Sequence, residues 1–119
     1  HWDANRVMVH NPDGARNDKR WNVYEVKLDG TGCKKLIENE EPDLEFYDGT
    51  YLPDGRIIAN SNIGYQGFLG KRDDPVGNMV LYTPEQKNLR RLTFDQDANW
   101  NPVVMNNGRV MYTRWNILT

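Results

Sequence analysis

Two acidic stretches carry the side chains best suited to a cation. "ENEEPDLE" (38–45) and "DQDANWN" (95–101) offer Glu41, Asp43, Asp95 and Asp97. A hard ion such as Ca²⁺ needs several oxygen ligands at close range, and four carboxylates brought to one end of a fold could begin to supply them. Neither stretch has the spacing of a known Ca²⁺ loop. Solvated loop charges that answer nearby arginines are therefore the preferred reading, and no metal is assigned. A second group lies in "SNIGYQGFLGKRDDPVG" (61–77), where Tyr65, Gln66, Lys71 and Arg72 offer stacking, hydrogen bonding and charge. Together with Trp100 they are the ligand-binding candidates, because long connections tend to carry recognition residues. The competing reading is a plain connection whose Tyr and Phe cap the core.

Other constellations are weaker. Arg6, Arg56 and Arg109 each follow a turn residue. They could form an anion-binding ring, but an Arg beside a tight turn more often packs its stem on the strand and pairs with a carboxylate. His1, Asp3 and His10 have zinc-ligand chemistry. The two histidines fall at opposite ends of one strand, roughly 30 Å apart at about 3.3 Å per residue, too far to share an ion. Ser61 is the only serine, outside any G-x-S-x-G context. Cys33 stands beside Lys34 and Lys35, which could lower its pKa, although a small buried thiol is the commoner finding. No catalytic residue is assigned.

Composition narrows the classes of partner. Fifteen basic and seventeen acidic residues give a formal charge of -2, so no overall field draws nucleic acid or an anionic membrane. No apolar run approaches the roughly 18 residues needed to cross a bilayer as a helix. The first residue is His1 rather than Met, and the chain reads as processed or as part of something longer. A single cysteine leaves the redox compartment open.

The elements that would position these residues repeat. "NRVMVH" (5–10), "GRIIAN" (55–60) and "GRVMYT" (108–113) each join a turn residue and an Arg to a β-prone run. Their spacing is that of a propeller blade or solenoid unit. Residues 22–37, "NVYEVKLDGTGCKKLI", lie without a gap over 78–93, "NMVLYTPEQKNLRRLT". The Asp29-Gly30, Asp54-Gly55 and Asn107-Gly108 steps suit two-residue type I′ hairpins. No window shows helical periodicity, so the expected class is all-β. About two four-stranded units and a leading strand are expected: 1–20 the leading strand and its loop, 21–60 the first blade, 61–77 a connecting loop, and 78–115 the second blade. Two blades are too few to close a ring of four to eight, which makes the chain a partial propeller.

"VYEVKLDGTG" with "KKLI", and "YLPDGRIIAN", resemble the TolB-like propeller repeat. "EPDLEFYDGTYLPDGRII", "VGNMVLY" and "LTFDQDANWNPVVMNNGRVMYTRW" resemble the middle propeller region of proteins similar to the alpha subunit of hydrazine synthase. The resemblance implies an exported bacterial protein, periplasmic or secreted, whose propeller sits among other domains, some bearing haem. This chain has no C-x-x-C-H motif, so any haem belongs to those neighbours. Ala98 and "YQGFLG" stand where that pattern often has His and Cys, and no metal or haem contact is carried over there.

The expected function is a non-catalytic scaffold or interaction segment that recognises a protein or small ligand through its rim loops. Its expected partners are the remaining blades or other domains of the parent. The alternative is a structural middle domain of a haem-containing redox enzyme. A hydrolase with its catalytic residues elsewhere on the ring is a third reading.

Overall fold

In a computed structural model of the chain, residues 1–13, 20–39, 41, 43–64, 67–68, 71–94 and 98–115 are described, with backbone alone for 13, 67–68 and 71–75. All regular structure among them is β. The strands are β1 (Arg6–Asp13), β2 (Arg20–Lys27), β3 (Lys34–Lys35), β4 (Phe46–Tyr51), β5 (Ile57–Ser61), β6 (Gly67–Phe68), β7 (Lys71–Pro75), β8 (Asn78–Thr83), β9 (Asn88–Arg91), β10 (Asn99–Val104) and β11 (Val110–Arg114). They pair antiparallel in sheets ordered β1-β2-β3, β4-β5-β8-β9 and β10-β11, with β6-β7 a separate hairpin.

The repeat reappears as register. Tyr24 pairs with Lys35 as Val80 pairs with Arg91, and Glu25 pairs with Lys34 as Leu81 pairs with Arg90. The Leu36 N–H donates to the Val23 carbonyl as the Leu92 N–H does to that of Met79. Val7 pairs with Val26 as Ile57 pairs with Tyr82. Strand β4 slips register between Tyr47 and Thr50, and β10 does so at the matching Trp100 and Val103. Asp48 and Asn101 occupy the same place in these two bulges, and both take positive φ, 49° and 53°. Thus β1-β2-β3 matches β5-β8-β9, and β10-β11 matches β4-β5.

That match cuts the chain differently from the expected blades. Strands β4 and β5, placed in 21–60, share a sheet with β8 and β9, placed in 78–115. The segment 61–77 accordingly runs between two neighbouring strands of one sheet, with the β6-β7 hairpin along it, and does not link two units. A period fixes which residues correspond but leaves open where a unit begins. Here β5 and β8 are hydrogen-bonded neighbours in one sheet.

The three tight turns also differ from the expected type I′. Gly30, Gly55 and Gly108 have φ of 83°, 90° and 82°, whereas the preceding Asp29, Asp54 and Asn107 are not among the positive-φ residues. In each turn the Gly N–H donates to the carbonyl three residues back, and a second bond closes the loop one residue further on, as Leu52 N–H to Arg56 carbonyl does. This is a three-residue loop ending in a G1 bulge. The Asp or Asn side chain earns its place by accepting the N–H two residues on, in Thr31, Arg56 and Arg109. A Cβ at Gly55 meets no atom within 4 Å, so Gly55→Ala tests backbone strain alone. It is expected to cost about 1 to 2 kcal/mol in urea unfolding.

The central sheet buries both faces. Its front, Phe46, Tyr51, Ile57, Ala59, Val80 and Tyr82, forms the core with Val23 on β2, Ile37 just past β3, and Leu44. By strand alternation its back presents Tyr47, Ile58, Asn60 and Met79. Ile58, Asn60 and Met79 are buried there, and β10 packs against β4 and β5. The three sheets are therefore stacked back onto front.

Candidate functional site

The junction between the first and central sheets holds the densest polar cluster among the described residues. Glu25 on β2, only 5% exposed, accepts a 2.7 Å hydrogen bond from the Tyr51 hydroxyl on β4. Arg6 Nε lies 3.3 Å and Lys34 Nζ 3.4 Å from its two oxygens. Arg6 also reaches Asp3 at 3.2 Å, and its Nη2 lies 3.0 Å from His1 Nε2. The His1 ring stands edge-on to Tyr51 with centroids 4.6 Å apart, and Trp2 Nε1 donates to the Tyr51 carbonyl. Beside the cluster is a hollow of about 310 Å³ lined by His1, Trp2, Thr50, Tyr51, Val103 and Val104.

The chemistry of this cluster is pinning rather than proton transfer. Burial, then the bond to Glu25, push the Tyr51 pKa well above its usual 10 against the opposing pull of Arg6. The hydroxyl therefore stays a donor across the physiological range. Glu25 has a hydroxyl and two cations beside its oxygens. The pair bridges two sheets, and the flanking cations offset the desolvation of the carboxylate.

Sequence reasoning missed this cluster, although a signal was present. At the matching positions of the next junction the chain has Leu81 in place of Glu25 and Val104 in place of Tyr51. A polar pair where the repeat has an apolar one is the mark that an alignment of the units could have found. The next junction has its own polar departure. Ile37 and Phe46 are replaced there by Thr93 and Asn99, while Asn22 is matched by Asn78; Asn99 Nδ2 donates to Thr93 Oγ1 at 3.1 Å and Thr93 Oγ1 donates to Asn78 Oδ1 at 3.2 Å.

The residues singled out by sequence are dispersed. Trp100 sits half-buried on β10 with its ring 5.0 Å from that of Trp115. Lys71 and Arg72 open β7, described by backbone alone, and Tyr65 and Gln66 lie outside the described residues. Asp43 is held by Arg20 Nη2 at 2.9 Å. Glu41 borders a hollow of about 490 Å³ with Glu38, Asn39, Lys87 and Leu89. Asp95 and Asp97 are outside the described residues. Among those described, no group of three or more His, Cys, Asp or Glu could hold a metal. His10 is engaged elsewhere, its Nε2 accepting the Gly49 N–H at 2.9 Å.

Of the recurring arginines, Arg56 pairs with Asp54 at 2.7 Å and Arg6 joins the Glu25 cluster, which is the structural role. Ser61 is fully buried and its Oγ accepts the Ile63 N–H. Cys33 is exposed, contrary to the expected buried thiol, and lies in the connection just before the two-residue strand β3. Compared with family models, curated proteins and solved structures, the chain matches none.

Alkaline titration tests the two shifted tyrosines. Burial, then the charges of Asp48 and Glu45, raise Tyr47 to about 12. A raised folded pKa favours the protonated, native form, so this stability is complete below pH 10 and is lost as pH climbs through the folded value. Melting temperature should fall steeply from pH 10 toward 12. Tyr47→Phe and Tyr51→Phe should each flatten that decline, read from thermal melts at stepped pH.

Proposed function

We propose that the chain is a run of propeller-type repeats, one complete four-stranded blade flanked by parts of two others, that acts as a non-catalytic recognition scaffold. The observation that carries this reading is the coincidence of register, bulge and turn between the matching strands. Repetition of a whole supersecondary unit, stacked on its neighbours, is how repeat folds build a core. Glu25, engaged by Tyr51, Arg6 and Lys34, and the buried Ser61 support a binding role over a catalytic one. Recognition falls to the loops at the strand ends, above all 61–77, which carries the extra β6-β7 hairpin with Lys71 and Arg72.

Excising 65–75 tests this. Because the excision lies between β5 and β8, the melting temperature should stay within a few degrees while binding to the rim is lost. Binding is read by amide shifts on titration with a panel of small anions and short peptides. Shifts confined to 62–77 and 38–45 in the intact chain, absent after excision, are the expected result. Shifts on the sheet faces, or collapse of the fold on excision, would count against rim-loop recognition.

A further inference from the structure

We infer that the chain associates head to tail with a second copy of itself, the outer face of β10-β11 seating on the outer face of β1-β2-β3. This rests on the repeat reading above and adds a partner to it. Within one molecule each sheet presents its back to the front of the next. The front of the first sheet carries Val7, Val9, Tyr24 and Val26, which match Ile57, Ala59, Val80 and Tyr82 of the central sheet's buried front. Val7 and Val9 are nevertheless 41% and 37% exposed. At the other end, Val103 and Met111 match Thr50 and Ile58 of the central sheet's back, and are 51% and 58% exposed.

Among the described residues, one end is thus a front without a back, and the other a back without a front. The surface that each requires is present on a second copy, in the same geometry as the two sheet junctions already formed. Association between unlike faces is heterologous, and extends to a ring if the rotation closes or to an open chain if it does not. Apolar side chains such as Val7, Val9, Val103 and Met111 are costly to leave in water.

Sedimentation of the full chain over a concentration series tests it. The weight-average mass should rise with concentration above the 13.9 kDa of one copy. Val9→Glu disables the front and Met111→Glu the back, and each should weaken association by at least about tenfold. Both side chains are exposed in the single molecule, so melting should be retained. An equimolar mixture of the two variants keeps one good face of each kind and should form a heterodimer and nothing larger.

Cys33 supplies a second readout. It borders a hollow of about 350 Å³ on the front with Val9 and Tyr24, so its alkylation should slow in the associated wild type and stay fast in Met111→Glu. A wild type that stays monomeric throughout overturns the inference. So does a mixture that fails to dimerise, or association abolished by one substitution and untouched by the other, which would mean like-with-like pairing. Aggregation indifferent to both would point to open strand edges instead. The 65–75 excision leaves both outer faces intact, so failure of rim recognition is read separately.

Discussion

Glu25→Ala should destabilise the chain by about 3 kcal/mol, the lower end of the cost of breaking a buried ion pair. The lower end applies because Lys34 is 63% exposed and its share is screened by water. What remains after the substitution is a Tyr51 hydroxyl without its acceptor and an Arg6 guanidinium left with Asp3 and His1. Tyr51→Phe should cost about 1.5 to 3 kcal/mol, the range for a hydrogen bond to a charged group. The decisive variant is the double substitution Glu25→Leu with Tyr51→Val, which installs the pair that the repeat already carries as Leu81 and Val104. Each single change leaves one partner of the buried hydrogen bond without the other, and the double removes both at once. Its cost should fall short of the summed costs of Glu25→Leu alone and Tyr51→Val alone by about 1 kcal/mol or more. Urea melts at one fixed, dilute protein concentration measure all of these variants without interference from association. Additive costs would show that the two residues do not act as a pair.

The same comparison of units shows what could be read from sequence. The all-β class was legible because short runs such as 79–83 and 109–113 are rich in β-branched and aromatic residues and lie between turn steps. The alignment of 22–37 with 78–93 was legible too, and it returns as matching strand register. The start of the unit was not. Nothing local distinguishes a loop that joins two strands of one sheet, as 62–77 does, from one that passes between sheets, as 38–45 does. That distinction lives in hydrogen bonds between segments far apart in the chain. The turns were misread for a different reason: Asn-Gly and Asp-Gly fit both I′ turns and G1-bulge loops, and the side-chain bond to the N–H two residues on favours the second here. The Tyr51 and Glu25 contact joins residues 26 apart, which lie in two separate stretches of the repeat, and nothing within either stretch pairs them.

Phe46→Asn should be among the most damaging single changes, at about 4 to 5 kcal/mol, although the matching position of the next unit is Asn99. Phe46 is 1% exposed in the core beside Ile37, and trimming such a ring to Ala alone costs about 3 to 5 kcal/mol. An amide buried there without a partner adds the desolvation of its polar atoms, about 1 to 3 kcal/mol, offset in part because Asn refills some of the space. Asn99 is tolerated at zero exposure because Thr93 Oγ1 accepts from its Nδ2 and because its own N–H donates to the Gly77 carbonyl. The position of Thr93 is held by Ile37 in the first unit, so the acceptor is missing. Adding Ile37→Thr to Phe46→Asn supplies it. The double variant should then lose about 1 kcal/mol less than the two single changes together, one hydrogen bond's net worth. If Phe46→Asn were instead as mild as a surface change, within about 0.5 kcal/mol, the Ile37 and Phe46 junction would not be the core that joins the two sheets.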